Sequence, residues 1–359
     1  MDIIAPGALP SLLLQYRPEL EGGQVPDFIV HLPDNPWVKL KPNSKVTSVG
    51  YRGDDFTRSW ETDSLGFKNL SGLAARSHVT AVAVGDSFVE GMGARTEDVW
   101  TTILTQRGFT VYNLGIQGYA PQQMVGVLKL YGERFHPDVI LIGYTPGFEA
   151  RALVYESGSP AKNYAGGVQS MNSYIEERRR MATHFKITNA FFSLLSDSYG
   201  IVSSQSGDRS LRQYTPEVEH ALGKTFDPQS RAWSLTKVSI LELKREALRI
   251  GARPIVLIFA HRPLVYYEKV MGTPPPHEHY EIQLIEAVKL FCRENGILTL
   301  ETLDELKAYV ATLPEKSSDE LPYWRIDGHL SRSGNRIVAE VVEKYFRTAM
   351  PLRPELQPS

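Results

Sequence analysis

Ser87 stands in "AVAVGDSFVEGMG", where an apolar run stops at Gly85-Asp86-Ser87. Far along the chain, "YWRIDGHLSRSGN" places Asp327 and His329 two positions apart, just before a helical pattern. A serine hydroxyl is a weak nucleophile at neutral pH. It needs an imidazole to take its proton and a carboxylate to fix the imidazole tautomer. Ser87, His329 and Asp327 are side chains of those three kinds. Each motif alone has a plainer reading: Asp86 or Ser87 fits the N-cap of a following helix, and Asp-Gly-His fits a turn. A dinucleotide or phosphate loop fits less well. "GDSFVEGMG" is not G-x-G-x-x-G, no acidic residue ends the second strand, and the P-loop pattern is absent.

The elements that must carry these residues alternate. "VTAVAV" (79–84), "FTVYNL" (109–114), "DVILIGY" (138–144), "PIVLIFA" (254–260) and "ILTL" (297–300) are short apolar, β-prone runs of the kind buried on both faces of a parallel sheet. Between them lie helical segments. "TEDVWTTILTQRG" has Thr96 as a candidate N-cap and Gly108 at its end, and "PQQMVGVLKLYGERF" opens on Pro121. Further helices are expected over about 229–250, about 279–294 and from about 302. The last, "SGNRIVAEVVEKYF", puts Ile337, Val338, Val341, Val342, Tyr345 and Phe346 on one stripe. Strands alternating with helices predict a three-layer α/β/α domain around a mostly parallel sheet. Sites in such sheets form at the carboxyl ends of strands, where Gly85-Asp86-Ser87 falls.

The 359-residue chain divides accordingly. Residues 1–77, rich in Pro, Gly and Asp, read as a β-rich extension; 78–349 read as the α/β/α domain; 350–359 form a tail. Residues from about 150 to 228 break the alternation and read as an insertion, a candidate lid, whose "EERRR" cluster (176–180) fits a solvated helix face. A formal net charge of -2 gives no field for nucleic acid or an anionic membrane. No run approaches the roughly 18 apolar residues that span a bilayer, and the N-terminus lacks a basic region before its apolar patch. The expectation is a cytoplasmic protein with no stable membrane insertion and no nucleic-acid partner. The single cysteine, Cys292, excludes an intrachain disulfide and reads as a buried helical thiol.

Taken together, these segments resemble the SGNH-hydrolase superfamily, the GDSL-type esterases and lipases, over about 78–148 and 229–348. The style is that of bacterial members associated with polysaccharide or lipid acyl chemistry. "AVAVGDSFVEGMGARTEDVWTTIL" resembles the first family block, "YNLGIQGYAPQQ" the second and "RIDGHLSRSGNRIVAE" the last. The stretch "LKPNSK…TDSLGFKN" is similar to the β-rich lead-in of some relatives. The resemblance implies a flavodoxin-like sheet, Ser87 as nucleophile, His329 as base and Asp327 as its orienting acid. It also implies an oxyanion hole built from the backbone N–H groups of Ser87 and Gly118. The substrate would be a small-molecule, saccharide or lipid acyl ester, cleaved through an acyl-enzyme with no cofactor or metal. Two alternatives go with it: an O-acyltransferase working on a sugar or alcohol acceptor, and a non-catalytic binding protein of the same fold.

Two departures bear on that expectation. The last block is spaced Asp-x-His rather than Asp-x-x-His. After the third strand, Phe148 and Glu149 stand where the family has the Asn whose side chain is the third oxyanion donor. Loss of one such donor costs about 10²–10³ in rate. Thr145, Gln117, Gln122 or a side chain from the insertion are candidate substitutes. Other polar and aromatic residues fit structural roles better. His277 and His279 have no further metal ligand at useful spacing. His261 and Arg262 follow a strand end and fit a helix cap, and Tyr51, Trp60, Tyr144 and Trp324 fit packing.

Overall fold

Alternation within each strand decides which side chains face which layer, and five parallel strands use it to divide the apolar residues of the chain into two cores. The computed structural model describes residues 29–31, 38–49, 56–145, 147–149, 151–152, 226–313, 321–324 and 328–349. Two antiparallel pairs come first: β1 (Ile29–His31) with β2 (Val38–Leu40), and β3 (Lys45–Val49) with β4 (Thr57–Glu61). Then follow β5 (Ala81–Val84), α1 (Ser87–Glu90), α2 (Trp100–Gln106), β6 (Val111–Asn113), α3 (Pro121–Tyr131) and β7 (Val139–Tyr144). Beyond residue 225 come α4 (Arg231–Arg249), β8 (Arg253–Ile258), α5 (Arg262–Met271) and α6 (Tyr280–Glu294). β9 (Leu298–Glu301), α7 (Leu303–Thr312) and α8 (Arg332–Ala349) complete the order.

β5 to β9 form one parallel sheet in the order β6-β5-β7-β8-β9. β5, β6, β7 and all of β8 except its first residue, Arg253, are buried. Val82, Val84, Ile140, Ile142, Val256 and Ile258 face one core, shared with Met124 and Leu128 of α3, Ile240 and Leu243 of α4, and Leu284 and Val288 of α6. Their neighbours Ala81, Ala83, Val139, Leu141, Ile255 and Leu257 face the other, with Trp100 and Leu104 of α2, Leu306 of α7, and Val338 and Val342 of α8. This is the three-layer α/β/α architecture expected from the sequence. The strand order reverses direction at β5, which pairs with β6 on one side and β7 on the other. A crevice therefore opens beyond the carboxyl ends of β5 and β7, the usual ligand position in sheets of this kind.

The lead-in strands are tied to the sheet by buried polar bonds. Asp63 accepts from the Tyr112 hydroxyl (2.6 Å) and from Asn69 Nδ2 (3.0 Å), and Asn69 bonds both backbone groups of Asn113 on β6. Cys292 is buried in α6, where desolvation pushes its thiol up to about 12.

Two local expectations change. Thr96 does not cap α2: Thr96–Asp98 is a separate 3-10 turn, and Val99 leaves it in an extended conformation. The N-terminus of α2 is instead capped from a distance, since the Trp100 N–H donates to Asn335 Oδ1 at 3.1 Å. The segment after β8, expected only to offer a cap, forms the whole of α5. Pro263 lies in its first turn and Gly272, at φ 70°, ends it. The "EERRR" cluster, Tyr51, residues 153–225 of the expected insertion and the tail from 350 on lie outside the described residues. Among the described residues, no helix is long and apolar enough to cross a membrane.

Candidate active site

The turn from β5 into α1 gives the capping role to one of two neighbours and leaves the other's side chain free of it. Asp86 is the cap: its Oδ1 accepts the Phe88 N–H at 3.0 Å. Ser87, the first residue of α1, is left to point its hydroxyl elsewhere, and His329 Nε2 lies 2.7 Å from its Oγ. The turn is tight because Gly85 carries no side chain. A Cβ there would lie 2.2 Å from Val89 Cγ2, so glycine lets the four-residue helix fold back onto its own strand.

Asp86 has a second task. Its Oδ2 accepts from the Thr145 hydroxyl (2.6 Å) and from Arg151 Nη2 (2.6 Å), and the same Arg151 nitrogen also donates to Thr145 Oγ1 (2.7 Å). The carboxylate is almost wholly buried, with a side-chain exposure of 2% against 28% for Arg151. A buried charge needs both a counter-charge and hydrogen bonds, and here it has both. The residue before Ser87 is thereby fixed to the chain beyond β7.

His329 is held on a braced loop. The Trp324 N–H donates to the His329 carbonyl (3.0 Å), and Tyr323 forms an antiparallel bridge with Leu330. Arg262 Nη1 donates to the Trp324 carbonyl (3.1 Å), and the Tyr323 hydroxyl to Ala260 O (2.8 Å), which anchors the loop to the start of α5 and the end of β8. The imidazole lies 5.3 Å from the Phe88 ring, and the same ring contacts Phe259 and His261. Aromatic rings thus pack on one side of the pair. Asp327 lies outside the described residues.

The second loop lies against α1. A Cβ on Gly115 would stand 2.3 Å from the Glu90 nitrogen, so this glycine lets the two backbones touch. The buried Glu90 carboxylate then accepts the Gln117 N–H at 2.6 Å, and the next residue, Gly118, adopts the left-handed conformation at φ 74°. Beneath α1, the wholly buried Lys68 donates to the carbonyls of Gly91 (2.9 Å) and Ala94 (2.7 Å). Burial lowers its pKa to about 8, against the opposing pull of Glu90 and Glu97. Glu90, Arg151 and Lys68 are hard to find in the sequence because their partners are backbone or side-chain groups of other segments. The only linear signal is that Glu90 lies three residues beyond the serine, one turn along α1.

The candidate substitutes for the Asn that the resemblance expects fare unequally. Thr145 gives its hydroxyl proton to Asp86, and Gln122 Nε2 donates to Ala152 O at 3.1 Å. Gln117 is buried beside Gly118, its backbone N–H on Glu90. Phe148, where the resemblance expects an Asn, is fully buried with its ring 4.9 Å from that of Tyr144. Glu149 turns back to accept from the Tyr144 hydroxyl and the Gly147 N–H, and burial raises its pKa. His279 caps α6, its Nδ1 accepting the Glu281 N–H at 3.3 Å, and His261 occupies the N-cap position of α5. Among the described residues, no group of three His, Cys, Asp or Glu side chains could hold a metal ion.

The fold and site together define a doubly wound α/β protein with a serine–histidine pair at the carboxyl end of its first core strand. No family profile and no curated protein matches the chain. Solved structures do. The chain is similar to an acetyl xylan esterase, AlAXEase, at 12% identity and a TM-score of 0.41, over 74% of this chain and 98% of that one. It is similar to a GDSL-like lipase from Bacteroides thetaiotaomicron at 11% identity and a TM-score of 0.37, over 75% and 88%. It is likewise similar to a mutant of the Geobacillus acetyl-xylooligosaccharide esterase Axe2, at 13% identity and a TM-score of 0.39, over 76% and 94%.

Proposed function

We propose that this chain is an SGNH-type serine esterase that cleaves an O-acyl ester through an acyl-enzyme. The observation that carries the reading is the 2.7 Å contact between His329 Nε2 and Ser87 Oγ. That distance is within the range required of a general base and its nucleophile.

In this reading, His329 takes the Ser87 proton as Oγ attacks the ester carbonyl carbon, giving a tetrahedral oxyanion. Collapse of that intermediate expels the alcohol, which leaves with the proton from His329. Water, activated by the same imidazole, then adds to the acyl-serine and releases the acid. Asp327 orients His329 and stabilises its charged form. The N–H groups of Ser87 and Gly118 receive the oxyanion, and Glu90 holds the second of these loops in place through Gln117. With Phe148 in the Asn position, the hole has two backbone donors, and the rate expected is correspondingly modest.

The test is hydrolysis of short-chain aryl esters by the wild-type chain and by Ser87→Ala. The proposal expects turnover that the substitution removes. Equal turnover by the two proteins, or inertness of a folded wild type across the panel, would contradict it.

A further inference from the structure

We infer that Arg262 is a positioning residue for the proposed base, holding His329 at Ser87 through the backbone of Trp324. This rests on the esterase reading and extends it to a residue of α5.

Gly328, the residue before His329, is exposed, and a Cβ there would meet no atom within 4 Å. The base loop is gripped instead from segment 321–324. The Trp324 N–H donates to the His329 carbonyl at 3.0 Å, Tyr323 bridges Leu330, and the Ser331 N–H donates to Pro322 O at 3.0 Å. Gly334 permits this approach, since a Cβ on it would stand 2.0 Å from the same Pro322 oxygen. Such a ladder places an imidazole only if its other strand is itself fixed. Two bonds from beyond β8 fix it: the Tyr323 hydroxyl donates to Ala260 O at 2.8 Å, and Arg262 Nη1 to Trp324 O at 3.1 Å. The Arg262 bond falls on the residue whose own N–H bonds His329, so two successive hydrogen bonds run from α5 to the base. The Trp324 ring meets Phe56 at 5.1 Å between centroids, and Gly93, at φ 77°, leaves room for the indole nitrogen, to which a Cβ would come within 2.7 Å. Trp324 is thus held at its ring, its N–H and its carbonyl.

The needs of α5 do not account for an arginine here. Arg262 is the first residue of that helix, where the macrodipole disfavours a cation. Its charge serves a group outside the helix. A guanidinium N–H on a carbonyl is a charge-assisted bond, stronger than a neutral one, and the planar fork gives it a fixed direction. Because the acceptor is a backbone carbonyl, the bond acts on where the loop lies. A reacting group displaced by about 1 Å loses about 10² in rate.

The experiment compares full-length wild type, Arg262→Met, Arg262→Gln and Arg262→Lys in p-nitrophenyl acetate hydrolysis, in fluorophosphonate labelling and in NMR spectra of the histidine ring nitrogens. Arg262→Met is expected to lower kcat and the labelling rate by about 10²-fold, with KM near the wild-type value. Arg262→Lys, which keeps a cationic donor, is expected to recover about tenfold of that loss. The His329 ring resonances, assigned by their loss in His329→Gln, are expected to shift in Arg262→Met and to return toward wild type in Arg262→Lys. If the methionine variant does not fold, Arg262→Gln, uncharged and shorter, is read in its place with the same expectation. A folded variant with kcat within about threefold of wild type, or with unmoved His329 resonances, would overturn the role. A loss of kcat no larger than the loss of folded protein would do the same. Labelling separates this role from the reading beneath it. Wild type and Arg262→Met that label equally fast remove the positioning role and leave the serine chemistry standing. A wild type that never labels removes the esterase reading, and the ring resonances then decide alone: a shift in Arg262→Met keeps the coupling of α5 to His329, and no shift removes it.

Discussion

His329 Nε2 and Ser87 Oγ are 2.7 Å apart although 242 residues separate them in the chain. The sheet achieves this by ending β5 at the turn that carries Ser87, while the bridge from Tyr323 to Leu330 folds the His329 loop back over α1. If the imidazole is the base, His329→Ala lowers kcat on p-nitrophenyl acetate by about 10³-fold or more, with an unchanged thermal midpoint. A variant that keeps wild-type kcat would show that the contact is structural.

Glu90 accepts the backbone N–H adjacent to Gly118, so it positions that loop without touching substrate. Glu90→Ala is expected to reduce kcat by about 10–100-fold, less than the 10²–10³ lost with a whole oxyanion donor, while KM stays near the wild-type value. Glu90→Gln keeps an acceptor oxygen and should restore most of the rate. Steady-state kinetics on the three proteins decide the matter. Parallel changes in kcat and thermal midpoint, without rescue by Gln, would mark Glu90 as merely structural.

The Arg151–Asp86 pair joins the serine turn to the residues beyond β7. Breaking a fully buried ion pair costs roughly 3–5 kcal/mol. Arg151 is 28% exposed, so solvent screens part of that, and about 1–3 kcal/mol is expected for Arg151→Ala. Urea denaturation measures it. No loss of stability would mean that Phe88 N–H and Thr145 alone satisfy Asp86.

Lys68 gives a pH dependence with a defined sign. Its pKa is lowered from 10.5 to about 8 by burial, so between those values the unfolded chain binds more protons than the folded one. Stability contributed at this site is therefore present in full above 10.5 and is lost as pH falls through about 8. Wild type should gain on Lys68→Met by on the order of 3 kcal/mol from neutral pH to pH 10.5. Urea midpoints of both proteins across that range test it, and a constant difference between them would contradict the burial of a charged Lys68.

Ser87 and His329 were legible because each follows a strong local signal: an apolar strand stopping at Gly-Asp-Ser, and a polar loop opening an amphipathic helix. The α/β/α layering was legible for a related reason, since strands buried on both faces must be uniformly apolar. What the sequence hid depends on distance. The N-terminus of α2 is capped by Asn335 rather than by the nearby Thr96, because tertiary contact supplies the acceptor. α5 was concealed by "RPLVYY", where a proline acceptable in a first helical turn reads as a breaker. Glu90, Arg151 and Lys68 bond backbone or carboxylate groups of other segments, so no spacing along the chain marks Arg151 or Lys68, and Glu90 is marked only by its place one turn beyond Ser87.

The central claim is tested most directly by mass spectrometry of the chain after reaction with a fluorophosphonate. The account predicts a single adduct on the peptide containing Ser87, absent from Ser87→Ala and strongly slowed in His329→Ala. An adduct that persists in Ser87→Ala, or a correctly folded wild type that never labels, would contradict it.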